Sequence, residues 1–253
     1  MSTRVTTAIA SALIGLGLAL SGCSAPPSTP TLTVFAAASM KTTFTTLGQK
    51  FEAAHPGVKV AFNFAGAQTL SDQIIQGASA DVFASANEAN MKPVTDAALN
   101  ASEVKLYASN QLEIAVPPSN PAKISSFADL GGKDVKLVIC AVAVPCGSAT
   151  QKVVAATGVV LHPVSEEQAV TDVLAKVVAG EADAGLVYRT DVIAAGSKVL
   201  GVPFPESAKA INRNTIVTLK KAPQPALAQQ FVDLVMSVEG QKVLADAGFG
   251  AAG

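Results

Sequence analysis

Leu32-Thr33-Val34-Phe35-Ala36-Ala37-Ala38-Ser39-Met40 runs from a short apolar stretch of strand length, Leu32–Ala36, straight into the start of a helix. From Met40 to about Ala54 the apolar residues Met40, Phe44, Leu47 and Phe51 recur at helical spacing, and His55-Pro56-Gly57 stops the pattern. The junction between the two elements is made of small residues, with Ser39 where a helix N-cap belongs. A capping hydroxyl accepts a bond from an amide of its own helix. The same junction can instead aim backbone N–H groups and a hydroxyl at an anion, supported by the helix dipole. On these residues alone both readings stand.

The alternation continues outward from this stretch. Val58–Phe64 reads as a strand, Leu70–Gln76 as a short helix ended by Gly77, Asp81–Ser85 as a strand and Glu88–Ala98 as a helix. Strands Leu112–Val116 and Val135–Cys140 follow, then helices near Ala149–Ala156 and Ala169–Ala179 and a strand over Ala184–Tyr188. The C-terminal part offers strand Ile216–Leu219 and helices Pro225–Met236 and Glu239–Ala247. Such alternation predicts an α/β fold with mostly parallel sheets and ligands at the carboxyl ends of strands. Two further small-residue junctions resemble the first. In Phe64-Ala65-Gly66-Ala67-Gln68-Thr69-Leu70, Gly66 permits close backbone approach and Gln68 or Thr69 offers side-chain donors. In Val144-Pro145-Cys146-Gly147-Ser148 a strand again gives way to a helix. Tyr188 closes a buried strand, as a donor facing a cleft or as a core tyrosine bonded to a carbonyl.

The N-terminus carries a different message. Arg4 is followed by small and apolar residues up to Leu20-Ser21-Gly22-Cys23. That is a secretory signal over residues 1–22, with an apolar core too short to span a bilayer. Leu-Ser-Gly-Cys resembles a bacterial lipobox, which implies cleavage before Cys23 and lipid on its thiol and new amino terminus. Residues 23–30 then form a Pro- and Ser-rich linker holding a soluble, extracytoplasmic domain off the membrane. The whole chain has 18 Lys and Arg against 19 Asp and Glu; cleavage removes only Arg4, leaving a charge of −2. With no basic stripe, nucleic acid is not an expected partner.

Cys23 spoken for, Cys140 and Cys146 remain as a pair in an oxidising compartment. They close a small disulfide loop if Ala141–Pro145 turns back, and otherwise are free thiols with Cys140 buried. His55 and His162 are the only histidines and lie far apart, which supports neither a bare metal site nor general acid–base work. No Ser-His-acid set, Walker-type loop or paired carboxylates are visible, so the chain reads as a non-enzyme without a cofactor.

Taken in order, these junctions resemble those of periplasmic molybdate-binding proteins. The likeness runs through Leu32–Met40, Phe62-Asn63-Phe64-Ala65-Gly66, Ala80-Asp81-Val82-Phe83-Ala84-Ser85-Ala86, Val144-Pro145-Cys146-Gly147 and Gly185-Leu186-Val187-Tyr188-Arg189-Thr190-Asp191. It ends with Phe204-Pro205-Glu206 and the segment from Gly240-Gln241 to Ala247-Gly248-Phe249, so it covers residues 31–250. The resemblance implies a type II, two-lobed periplasmic-binding-protein fold. Lobe one comprises 31–110 and 214–253, lobe two comprises 111–213, and the crossings act as hinges. It also implies a monomer that captures molybdate or tungstate between the lobes and hands it to the permease and ATPase of an ABC importer. Sulfate or another tetrahedral oxyanion is the alternative cargo.

Ligand contacts implied by the resemblance are Ser39 as hydroxyl and amide donor, Val170 and Cys146 through their amides, and Tyr188 through its phenol. At the fifth place the family usually has a serine, and this chain has Ala67: the amide survives and a hydroxyl is lost. A hydrogen bond to a charged group contributes about 1.5–3 kcal/mol, so binding should be weaker by about 10- to 100-fold unless Gln68 or Thr69 compensates. None of these positions titrates near neutrality, which predicts affinity that is flat across about pH 6–8.

Overall fold

The computed structural model describes Thr3 and residues 29–252. Apart from Thr3, the leader over 1–22, together with Cys23 and most of the 23–30 linker, lies outside the described residues. Chain order in the first half is β1 (Thr31–Ala37), α1 (Lys41–Ala54), β2 (Lys59–Ala65), α2 (Ala67–Ile75), β3 (Val82–Ser85), α3 (Glu88–Asp96) and β4 (Lys105–Asn110). The middle contributes β5 (Leu112–Val116), β6 (Leu137–Cys140), α4 (Pro145–Thr157), β7 (Pro163–Glu167), α5 (Val170–Val178), β8 (Ala184–Tyr188), α6 (Arg189–Ala195) and β9 (Leu200–Val202). The chain then returns through β10 (Asn212–Thr218), α7 (Pro225–Met236) and α8 (Val238–Asp246).

These strands form two five-stranded sheets, ordered β2-β1-β3-β10-β4 and β7-β6-β8-β5-β9. Both are mixed. In the first, β1 pairs in parallel with β2 and β3, while β10 runs antiparallel to β3 and β4. The second repeats the plan, with β5 antiparallel to β8 and β9. The reversed strand in each sheet is the first one laid down after the chain crosses from the other sheet. Expectation of mostly parallel sheets therefore holds for strand direction, and each sheet's two antiparallel pairings come from its crossing strand.

β1 shows why an almost wholly apolar strand is needed. Leu32, Val34 and Ala36 face α1 and α7 in a core with Phe44, Leu47, Phe51 and Phe231. Phe35 points the other way, to Leu70, Ile74, Phe83 and Met91 beneath α2 and α3. A strand covered on both faces has no side to leave polar. The second sheet packs in a separate core that includes Ile114, Phe127, Leu137, Val153, Val173 and Leu186.

Some boundaries differ from the sequence expectation. α4 begins at Pro145, since proline is preorganised for the first helical position. α2 begins at Ala67, directly after β2 and Gly66. β10 begins at Asn212, so its polar first residues are strand too. Strands β4, β7 and β9 and helix α6 carry no apolar period of their own, so the sequence pattern does not predict them.

The two crossings lie side by side. Asn110, the last residue of β4, is in register with Asn212, the first of β10. Asn110 Nδ2 donates to Thr190 Oγ1 at 2.8 Å, which ties this seam to the first turn of α6.

Candidate ligand-binding site

Three helices end at one place. α2, α4 and α5 point their N-termini at a small cavity between the sheets, and none of the three has a capping side chain. The first amides of a helix lack intrahelical acceptors, and the aligned peptide dipoles put partial positive charge there. Ser39, Gly66, Ala67, Cys146, Val170 and Tyr188 line this cavity, so all five positions implied by the resemblance come together. No residue lining it carries a charge. Its volume is about 10 Å³, the room needed by about one water.

Ser39 does not cap α1. It sits inside a single 3-10 turn, Ala38–Met40, that precedes the helix, and the cap position makes no side-chain bond. Its Oγ is buried without a hydrogen-bond partner. Buried hydroxyls are rarely left so, and an unpaired one on a cavity is a donor awaiting an acceptor. Of the two sequence readings of Ser39, the capping role is therefore not the one it plays.

Gly66 is required by close approach. A Cβ there would lie 2.2 Å from the backbone oxygen of Gln168, which belongs to the opposite sheet's unit. Gln68 cannot replace the missing serine hydroxyl. Its Nε2 donates to both carboxylate oxygens of Asp72 at 2.9 Å, and its Oε1 accepts from Asn90 Nδ2 at 2.8 Å. Asn90 Nδ2 also reaches Ala143 O, 3.2 Å away across the cleft. Thr69 does not line the cavity. Ala67 is 1% exposed and offers its amide alone.

On the facing side Cys140 and Cys146 are disulfide-bonded, with Cα atoms 5.7 Å apart. The bridge joins the end of β6 to the first turn of α4. A Cβ on Gly147 would fall 2.0 Å from Ala141 O, so the bridged loop folds back on the helix start as tightly as a glycine permits.

Tyr188 is 1% exposed. Its phenol meets Asn212 Nδ2, and its backbone N–H donates to Asp191 Oδ2 at 2.9 Å. Burial pushes the Asp191 carboxyl up to about 7, and burial with the neighbouring Asp191 raises the Tyr188 phenol further above its ordinary range. Neither Asn212 nor Asp191 stands among the positions found by sequence reasoning. For Asp191 a signal exists, since an acid three residues past a strand end is the pattern that turns back on a helix start. A lone Asn opening a strand carries none.

A larger groove of about 940 Å³ lies beside this cavity, between α1 and α8 on one side and α5 and α6 on the other. It meets the cavity only at Ala38 and Ser39. Lys50 pairs with Glu239 at 2.7 Å and Lys242 with Asp246 at 2.8 Å, so much of its charge is satisfied within α1 and α8. The unpartnered Ser39 hydroxyl and the three converging helix starts distinguish the small cavity from this groove.

Residues 32–250 match the family model of the bacterial extracellular solute-binding proteins. The chain belongs to this family. Among its relatives is a molybdate-binding protein, ModA, of Mycobacterium tuberculosis, 46% identical over 97% of each chain. Among solved structures, the periplasmic molybdate-binding protein of Azotobacter vinelandii superposes with a TM-score of 0.76 at 21% identity, covering 86% of this chain and 98% of the other. The sulfate-binding protein SubI of Mycobacterium tuberculosis reaches 0.72 at 20% identity, covering 87% and 86%. At those identities the two structures speak for the fold, the two-lobed architecture of a solute-binding protein.

Proposed function

We propose that this solute-binding protein captures molybdate, and tungstate with it, and presents the oxyanion to the permease and ATPase of an ABC importer. The observation that carries the reading is a cavity of neutral, unpaired donors at three helix N-termini, with no charged side chain on its wall. A dianion there exchanges its hydration for preorganised amides and hydroxyls, and the helix dipoles supply the favourable field. The 46% identity to a molybdate-binding protein, over 97% of each chain, supports this choice of anion.

In this reading Ser39 donates through its hydroxyl and amide, Ala67, Cys146 and Val170 through amides, and Tyr188 through its phenol. The wall has no carboxylate to accept a proton from a hydrogen phosphate, which disfavours phosphate. An oxyanion with four oxygens exceeds the room of one water, so entry requires the two lobes to part and then close around it. The crossings at Asn110–Gln111 and Ile211–Asn212 are where that rotation is absorbed. Lobe one is 31–110 with 212–253, because β10 joins the first sheet from Asn212 and not from 214, and lobe two is 111–211. Cys23 carries the lipid that tethers the protein outside the cytoplasmic membrane. The chain works as a monomer and performs no catalysis.

A thermal-shift titration of the chain from Ser24 with molybdate, tungstate, sulfate and phosphate tests this directly. A ligand at 100 times its Kd stabilises by about 2.7 kcal/mol, several degrees for a protein of this size. Shifts with molybdate and tungstate alone are the expected result; a shift with sulfate alone assigns the site to that anion instead.

A further inference from the structure

Asn212 stands at the seam between the lobes, 4% exposed, as the first residue of β10. Its side chain belongs to the first sheet and reaches two groups of the second unit. Nδ2 lies 3.3 Å from the carbonyl oxygen of Pro145 and also meets the Tyr188 phenol oxygen. A carbonyl can only accept, so the amide must turn its NH2 to Pro145, and the same nitrogen then donates its second hydrogen to the phenol. A phenol oxygen that accepts from Asn212 keeps its own single proton free. Among the described residues Asn212 is the phenol's one side-chain partner, and Tyr188 lines the cavity.

We propose that Asn212 is a positioning residue for anion capture: held by the Pro145 carbonyl, it forces Tyr188 to act as acceptor toward the seam and donor toward the ligand. The inference rests on the reading of the cavity as an oxyanion site. Because Asn212 rides on the strand that returns from the hinge while Tyr188 and Pro145 belong to the other lobe, the phenol is correctly polarised only when the seam is assembled. A carboxylate at the same place would reverse the relay. It would take the phenol proton for itself and set a negative charge beside a dianion.

The test is a double-mutant cycle by titration calorimetry on wild type, Asn212→Ala, Asn212→Asp, Tyr188→Phe and the Asn212→Ala/Tyr188→Phe pair. It uses molybdate, or whichever of the four oxyanions shifts the wild-type melting temperature. Asn212→Ala should weaken binding about tenfold. Asn212→Asp should weaken it further, and Asn212→Ala should cost nothing more once Tyr188 is Phe. Additive losses, or an Asn212→Ala protein that binds like wild type, would overturn the proposal. Should no oxyanion bind wild type, the reading of the site fails and takes this inference with it. Wild type alone gives a second readout if the variants do not fold. The chain has two tyrosines, and the Raman doublet that reports phenol hydrogen bonding should move toward donor character on adding anion. A doublet already donor-like and unmoved by anion would equally overturn the relay.

Discussion

The two helix starts that face each other across the cavity, α2 from the first sheet and α4 from the second, do the same job by different means. α4 is fixed from within its own lobe: the Cys140–Cys146 bridge pins its first turn to β6, and Gly147 packs against Ala141. α2 has no such tie. Its first turn is held through Gly66, whose backbone rests against Gln168, and through the Gln68–Asn90–Ala143 link, both of which reach into the opposite lobe. One set of amides is therefore preorganised at all times, and the other is completed only when the lobes meet. A binding protein needs this division, because preorganisation lowers the cost of capture while a late-forming half makes capture depend on closure.

Breaking the late half should have the largest effect. Gly66→Ala puts a methyl 2.2 Å from Gln168 O, where only a separation of the lobes relieves it. Calorimetry should show molybdate affinity down by about 100-fold or more, on the order of 3 kcal/mol, with the ligand-free melting temperature nearly unchanged. Affinity within tenfold of wild type would mean that the Gly66–Gln168 contact is not part of the bound state.

Strengthening the same half is the converse experiment. Ala67→Ser restores a hydroxyl that neither Gln68 nor Thr69 replaces, and it should tighten molybdate by about 10- to 100-fold. Titration showing no change or a weakening would remove Ala67 from the binding half.

The preorganised half should fail more gently. Replacing Cys140 and Cys146 together by Ser frees a short loop, for which the chain-entropy estimate is about 2–3 kcal/mol of stability. The melting temperature should fall by several degrees and molybdate affinity by about tenfold, since the α4 amides must then be ordered on binding. If affinity is lost as completely as in Gly66→Ala, the bridge is essential to the site itself and the distinction between the two halves collapses.

The smallest effect is in pH. Asp191, at about 7 when folded, lies near 3.9 in an unfolded chain. Between those values the native state holds a proton that the unfolded state has lost, so this group's contribution to stability declines as pH rises from about 4 to 7. Asp191→Asn keeps an acceptor for the Tyr188 amide and should raise the melting temperature at pH 8 but not at pH 4. A dianion beside Tyr188 also favours protonated Asp191. Wild-type affinity should therefore drop by a few-fold between pH 6 and 8 and be flat in Asp191→Asn. That replaces the expectation of a flat profile, which counted only the residues touching the ligand.

Much of this was legible in the chain, and the gaps have identifiable causes. β1 and α1 announced themselves because a doubly covered strand must be apolar throughout and a helix on a sheet must repeat every three or four residues. β7 did not, because Pro163-Val164-Ser165-Glu166-Glu167 is a half-exposed edge strand opened by proline, with no periodicity to read. α6 is seven residues long with only Thr190 and Asp191 buried, too short for a pattern. The apolar repeat of α4 begins only near Ala149, four residues into the helix, although Pro145 is itself a sound start signal.

By itself the sequence determined the alternation of strands and helices, the α/β class and the small-residue junctions where backbone comes close. Each is written in local spacing and residue size, which short-range sterics and burial translate directly. Only the tertiary structure decided that Ser39 is an unpaired donor instead of a cap and that Gln68 is occupied by Asp72 and Asn90. It alone brought Gly66 against Gln168, and Asn212 between Pro145 and Tyr188. Those facts depend on which hydrogen-bonding group meets which across a cleft closed by residues far apart in the chain, and no local rule specifies the partner of a buried polar atom.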